Sequence, residues 1–550
     1  MSRDDRTIRL LSRLLGEEHA ELAFTHFLDS TVQLSATAET LQSPNGLLAY
    51  STASNMLTRF VGSLQLVVTG AGPGEIVRLE ELLRDLQSID SRPGKFLSLS
   101  QSFPSPQPQV RLHIGRAPNE ISEVGRGVVF VSFDGWTVTL RRNEPAGPVV
   151  PSEAPFGALL AGCFGVAEVF KDVLLLAAPR ASVREELRRR QVNEFRYSAW
   201  LAERIDVASS EATASGPEPV PDVRLDGVLQ VGAGAVGNAS LLALASTGSL
   251  AGAVTVLDSK LVDEKNLNRC LYFREHDVGE LKVEVLQARA SRPGLAVSGV
   301  QEVFSPSRGD GVWLFISAVD NNEVRHAMQE GVPEYIVQGA TSGTSVAVSV
   351  HTGVDGLSCL VCRHPDRLTG LARRLPLSVE DAARRTGLPE EVIRLGAFHG
   401  SAEISLDFIS EVRKVNVQAA EFFEGERQAG HDLCGAIGDF RARYGIITGP
   451  QEPSVPFAST FAGIQAAAEA VKLRLRRDGF GLVPILRNVL VIDFAQDYSR
   501  HVRLSFAEPS RGDCQFCRQR RSEVEMLYHK KWGMASNVPV KVRANSATGT

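Results

Sequence analysis

Residues Val228–Asn238 read VLQVGAGAVGN, an apolar strand running into a glycine turn. Gly232, Gly234 and Gly237 have the G-x-G-x-x-G spacing that lets a backbone approach a phosphate at a helix N-terminus. Nicotinamide-dependent oxidoreductases and ATP-binding proteins both use such a turn, so the glycines alone do not separate them. The residues downstream carry the distinction.

The next strand, AVTVLD, ends on Asp258. An acid at that position accepts hydrogen bonds from ribose hydroxyls, which NAD and ATP share. After it comes LVDEKNLNRCLYFREHDVGELKVE, residues 261–284, with Asn266, Arg269 and Lys282 in series. Hydride transfer has no use for such a series. An enzyme that directs attack on the α-phosphate of ATP does, because charge building on the phosphates is stabilised by Arg and Lys. SAVDNNEVRHAM then places Asp320 at a strand end, where a carboxylate can hold magnesium through its waters. Arg325 is read either as a brace for the Asp320 loop or as a further member of the set.

Four of the seven cysteines fall into two C-x-x-C pairs, Cys359/Cys362 in SCLVCRHPD and Cys514/Cys517 in GDCQFCRQRR. Two such pairs point to one tetrahedral zinc that clips remote segments together. Cys163 lies on an apolar helix and reads as core, and Cys270 reads as packing.

Taken together, the string VGAGAVGN…VLDSKLVDEKNLNR…VGELK…SAVDNNEVR resembles the ThiF/MoeB/HesA family, the adenylating domain of ubiquitin-activating enzymes. The resemblance covers about residues 220–350 and 434–520. It implies ATP, Mg2+ and Zn2+ as cofactors and adenylation of the C-terminus of a ubiquitin-like or sulfur-carrier protein. It places Asp258 on the ribose, Asn266, Arg269 and Lys282 on the phosphates and Asp320 on magnesium. One position departs: where the family often has D-x-D, the second acid is Lys260. The family places an acceptor cysteine in the crossover stretch, which here gives Cys434 in GHDLCGAIGDF, near His431 and Asp432. A thiolate there takes the acyl group as a thioester for transfer to a conjugating enzyme. Among relatives the chain looks most like the activators of bacterial ubiquitin-like (Bil) antiphage operons. A sulfur-carrier or peptide adenylyltransferase without a conjugating enzyme is the alternative, and a non-enzymatic scaffold of the same fold is a second.

An internal repeat extends the reading. PFGALLAGCFGVAEVFK begins at Pro155 and PFASTFAGIQAAAEAVK at Pro456, and they agree at seven aligned positions. A duplicated domain explains this, with LQLVVTG, QVRLHIG and GVVFVSF as strands of the first copy. TGAGPGE, residues 69–75, echoes the glycine turn, but no N-x-x-R follows it. The first copy therefore reads as inactive, and the family commonly completes the ATP site with an arginine from the inactive half.

The expected fold is α/β: two Rossmann-like adenylation-type halves, the first inactive and the second active, with a helical cysteine-domain insertion and a zinc site. The boundaries are 1–205 for the inactive half, 206–224 for a linker and 225–362 for the first part of the active half. Residues 363–434 form the insertion leading to the cysteine, 435–520 the rest of the active half and 521–550 a tail. A net charge of -5 argues against a nucleic-acid partner. No apolar run of about 18 residues is present, so no membrane partner is expected. The N-terminus lacks a signal-peptide pattern, and the few cysteines suit a reducing cytoplasm.

Overall fold

The computed structural model describes residues 5–15, 17–92, 94–103, 108–118, 127–205, 216–218, 220, 222–364, 383, 386–397, 404–428, 455–500 and 504–533. The first half builds one sheet from β1 (Thr31–Thr37), β2 (Ser63–Thr69), β3 (Phe96–Ser100), β4 (Val110–Ile114), β5 (Val128–Phe133), β6 (Thr137–Arg142), β7 (Glu194–Ser198) and β8 (Glu203–Arg204). The second half uses β9 (Val223–Arg224), β10 (Val228–Val231), β11 (Leu250–Leu257), β12 (Leu295–Val300), β13 (Leu314–Ser317), β14 (Tyr335–Ser342), β15 (Ser345–His351), β16 (Val489–Asp493) and β17 (Ser505–Phe506).

Strand order makes the duplication explicit. The first sheet runs β3-β2-β1-β4-β5-β6-β7-β8 and the second β12-β11-β10-β13-β14-β15-β16-β17, with β9 added against β11. In each, five strands pair in parallel and the last three are added antiparallel. This is the doubly wound plan, with ligand sites expected beyond the carboxyl ends of the parallel strands. The equivalence also corrects one expectation. TGAGPGE follows β2, which matches β11, whereas the glycine turn follows β10. The counterpart of that turn follows β1, where Thr37 caps a short helix, Ala38–Gln42, and Ser43 caps the helix Pro44–Thr58.

The two repeat segments form 22-residue helices, Phe156–Ala177 and Pro456–Arg477. Each is buried along nearly its whole length, which is why polar residues are sparse on every side. The glycine they share serves close packing. A Cβ on Gly463 would meet Val236 O at 2.3 Å, and one on Gly162 would meet Ala53 N at 3.4 Å. The first repeat helix thus lies against the helix Pro44–Thr58 and the second against Ala235–Ser246, each in its own half.

The shared Glu and Lys have a different task. Lys472 Nζ donates to Glu469 at 2.6 Å and to Trp200 O, in the first half, at 2.8 Å. Lys171 Nζ donates to Glu168 at 2.7 Å and to Gln496 O, in the second half, at 2.8 Å. Tyr498 OH reaches Glu168 at 3.1 Å, and Tyr197 OH reaches Gln465, which in turn donates to Glu469. Burial pushes both lysine pKa values down, and the paired glutamates oppose it. Each half therefore completes the other's buried ion pair.

Residues 365–451 form a separate compact unit. Its described helices are Glu390–Ala397, Leu406–Val415 and Val417–Gln428, with a core that includes Ile393, Phe408, Val412 and Phe423. Asn416 separates the last two of these helices, and its side chain accepts from Ala419 N to start the helix Val417–Gln428. Cys434, His431 and Asp432 lie outside the described residues.

Lys472→Met leaves Glu469 charged in the interior, a change that costs about 3–5 kcal/mol. Urea unfolding of the full chain is expected to show a much lower midpoint for this variant, with much of the loss restored in Lys472→Met/Glu469→Gln.

Candidate functional site

The site is built outward from the turn between β10 and the helix Ala235–Ser246. Each glycine there answers a different demand. Gly232 has φ +102°, and a Cβ on it would meet Ala318 O at 2.5 Å. A Cβ on Gly237 would lie 2.2 Å from Gly232 O, so this glycine lets helix and strand close up. Gly234 faces open space, with nothing within 4 Å of a Cβ, and this is where a phosphate can approach. Gln230, a polar residue inside an apolar strand, locks the turn. Its Nε2 donates to Gly232 O and Gly237 O, each at 3.2 Å, and its Oε1 accepts from Ser240.

Asp258 follows β11 and its carboxylate accepts from Ala233 N at 2.8 Å and Lys260 N at 2.9 Å. The departing residue, Lys260, thus serves through its backbone: its carbonyl accepts from Lys282 N at 3.2 Å. Lys282 opens the helix Lys282–Ala290 and is largely buried. Asn266 is buried, and its Oδ1 accepts from Asp263 N at 3.0 Å in a reciprocal cap. The Asp263 carboxyl, which burial would raise, is held below its ordinary value by Lys265 and, more weakly, by Lys282.

Arg269 donates to Lys265 O at 2.7 Å and Asn268 Oδ1 at 2.8 Å. Burial lowers its pKa, while the charges of Asp320 and Asp263 oppose this. Among the described residues no carboxylate forms an ion pair with it. Asn268 Nδ2, beside it, is buried without a partner, as is Ser317 Oγ at the end of β13. A guanidinium without a counter-ion and an amide donor without a partner suit an anion, and the triphosphate of ATP is the anion that the glycine turn also fits.

Asp320 is exposed in the bend after β13. Arg325 braces this loop, donating to Val319 O and Asn322 Oδ1, each at 2.7 Å. Burial pushes its pKa down to about 10, against the pull of Asp320. Asn238 was missed in the sequence reading. It is fully buried, donates to Ala233 O at 3.1 Å and Gly234 O at 3.0 Å, and accepts from Tyr272 N at 3.1 Å. It ties the glycine turn to the segment carrying Arg269. A buried polar residue directly after the last glycine was the available signal.

The four paired cysteines converge. Their sulfurs all lie within 4.8 Å of one another, with Cys359–Cys514 at 3.6 Å and Cys362–Cys517 at 3.4 Å. A tetrahedral ZnS4 centre with Zn–S near 2.3 Å has sulfurs about 3.8 Å apart, whereas a disulfide needs about 2.05 Å. Backbone N–H groups of Cys362 and Arg511 point at Cys359 and Cys362 sulfur, as they do around thiolates. The residues fit zinc. Cys163 and Cys270 are buried and apart from this cluster.

With the geometry in place, the class is defined: an α/β nucleotide-binding fold with a phosphate turn, a cationic segment and a four-cysteine clip. The ThiF family model matches residues 216–514, and the chain belongs to the ThiF family. Members of this family use ATP to adenylate ubiquitin-like or sulfur-carrier proteins. The chain is also 26% identical over 423 residues to the uncharacterized protein y4jF of Sinorhizobium fredii (strain NBRC 101917 / NGR234), covering 74% of either chain. Among the described residues no helix is long and apolar enough to cross a membrane.

Two substitutions at the turn separate packing from binding. Gly237→Ala forces a backbone shift and is expected to cost about 1–3 kcal/mol of stability. Gly234→Ala should leave the melting temperature unchanged while weakening ATP binding by on the order of tenfold, as read by nucleotide titration. For the clip, elemental analysis is expected to find one zinc per chain. Cys514→Ser should lose that metal and melt at a lower temperature, because metal binding is coupled to folding.

Proposed function

We propose that the protein activates a ubiquitin-like protein: the second half adenylates its C-terminus, and Cys434 then takes the acyl group for a conjugating enzyme. The observation that carries the first step is Arg269 without a carboxylate partner beside the unpartnered Asn268 Nδ2, tied through Asn238 to a glycine turn with open space at Gly234. In that reading Gly232, Gly234 and Gly237 shape the phosphate turn and Asp258 holds the ribose. Asn266, Arg269 and Lys282 stabilise the phosphates. Asp320 would hold Mg2+, which neutralises phosphate charge when bound.

A C-terminal carboxylate oxygen attacks the α-phosphorus, the bond to the bridging oxygen breaks and pyrophosphate leaves. Arg269 faces the charge that moves onto the leaving group. The Cys434 thiolate then attacks the acyl carbonyl, a thioester forms and AMP departs. The helical unit at 365–451, which contains Cys434, supports a thioester step, because an adenylating fold alone does not require an insertion of that size. By its resemblance to the activators of bacterial ubiquitin-like (Bil) antiphage operons, we assign the protein to cytoplasmic conjugation of that kind.

ATP–pyrophosphate exchange in the presence of a purified ubiquitin-like protein tests the reading. Exchange is expected to fall at least about 100-fold in Asp320→Ala. A thiol-reducible adduct is expected on a non-reducing gel and is absent in Cys434→Ala, with exchange retained. Exchange without an adduct moves the protein to sulfur-carrier or peptide adenylation, and absence of exchange rejects this partner.

A further inference from the structure

One peptide unit, the bond between Leu271 and Tyr272, is gripped from both halves of the molecule. From the second half, Asn238 Oδ1 accepts from Tyr272 N at 3.1 Å. From the first half, Asn55 Nδ2 donates to Leu271 O at 3.2 Å and Arg59 Nη2 to the same oxygen at 3.1 Å. Arg59 goes further: Nη1 donates to Leu267 O and Nη2 also to Phe273 O at 3.4 Å, while Nε donates to Asn55 Oδ1 at 2.9 Å. Arg59 as a residue is 2% exposed. The carbonyls it holds, at 267, 271 and 273, bracket Arg269.

The bracketed segment has little structure of its own. After the short 3-10 turn Glu264–Asn266 it is a run of turns, closed by Arg269 N to Asn266 O at 3.2 Å and Phe273 N to Cys270 O at 3.1 Å. Its shape is therefore set by side chains that reach in from outside, and a rigid supporting shell is what fixes a catalytic cation in place.

We infer that Asn55 and Arg59 of the first half are positioning residues for Arg269, clamping the phosphate-binding segment without touching the nucleotide. This rests on the adenylation reading of the site. The duplication explains the placement. The helix Pro44–Thr58, between β1 and β2, stands where the helix Ala235–Ser246 stands between β10 and β11. In the second half that helix begins at the phosphate turn and offers Asn238. In the first half it offers Asn55 and ends at Arg59, and the two helices hold opposite sides of the same peptide unit. The first half thus supplies no phosphate turn of its own but holds the segment that works with the other one.

The test uses the full chain and two readouts. Asn55→Leu and Arg59→Lys each remove part of the grip while keeping bulk or charge, and Arg59→Met removes the whole of Arg59's share. Amide hydrogen exchange of residues 266–274 is expected to speed up in all three variants, with the repeat helices unaffected. Mg–ATP titration is expected to show binding weakened by on the order of tenfold in Asn55→Leu and more in Arg59→Met, with Arg59→Lys between wild type and Arg59→Met. If Arg59→Met does not fold, Asn55→Leu carries the decision. Exchange as slow as in the wild type, or faster exchange with unchanged ATP affinity, overturns the inference. Wild-type protein that binds no ATP overturns the adenylation reading instead, and the clamp is then decided by hydrogen exchange, which needs no ligand.

Discussion

An ammonium group taken out of water needs an anion and further acceptors in contact, or its burial is too costly. Lys472 and Lys171 are both in that position. Each finds its carboxylate three residues earlier on its own helix, and each finds a backbone carbonyl in the opposite half. Separating the halves would return two buried ion pairs, two buried tyrosine hydroxyls and a layer of phenylalanines, Phe164 against Phe461 and Phe170 against Phe457, to water. The halves are thus two copies of one topology that fold as one body.

That constraint accounts for a first half that keeps its whole sheet without keeping a phosphate turn. Its sheet is what supports the Phe156–Ala177 helix, and that helix is half of the shared core. Freed from binding phosphate, the chain after β1 takes a different course. A short helix replaces the turn, and Gly46 lets the next helix start so close that a Cβ would lie 1.8 Å from Thr40 O. This start sets the direction of the helix that ends at Arg59.

The parts legible in the sequence were those with local steric or ligand rules. The three glycines of the turn and the two C-x-x-C pairs impose spacing that survives without a structure, and the repeat helices announced the duplication through seven shared residues. What escaped notice was of two kinds. Strand β1, TVQLSAT, was not read as a strand, because its alternate residues are polar; yet Gln33 and Ser35 are fully buried, with Ser35 hydrogen-bonded to His113 at 2.9 Å. TGAGPGE misled because a glycine pattern is local while strand equivalence is set by pairing. The second kind was hidden for a simpler reason. Asn55, Arg59, Lys171, Lys472 and the donating side of Asn238 all act on backbone carbonyls, which every residue carries, so no partner residue type marks the other end of the bond.

The same principle governs the point where the chain leaves the nucleotide-binding fold. Cys359 caps the one-turn helix Leu360–Arg363, and His364 follows directly. Burial, then the charges of Arg325 and Arg363, push the His364 pKa down to about 3, so the ring is neutral. A neutral ring with its proton on Nε2 donates to Gln338 Oε1 at 3.0 Å and presents Nδ1 to Arg325 Nη1 at 3.5 Å. Arg325 is also the brace of the Asp320 loop. The exit toward the helical unit is therefore anchored on one side by the cysteine clip and on the other by the residue that shapes the loop of Asp320. Neither anchor needs a catalytic side chain, and of the two Arg325 alone links the exit to the loop of Asp320.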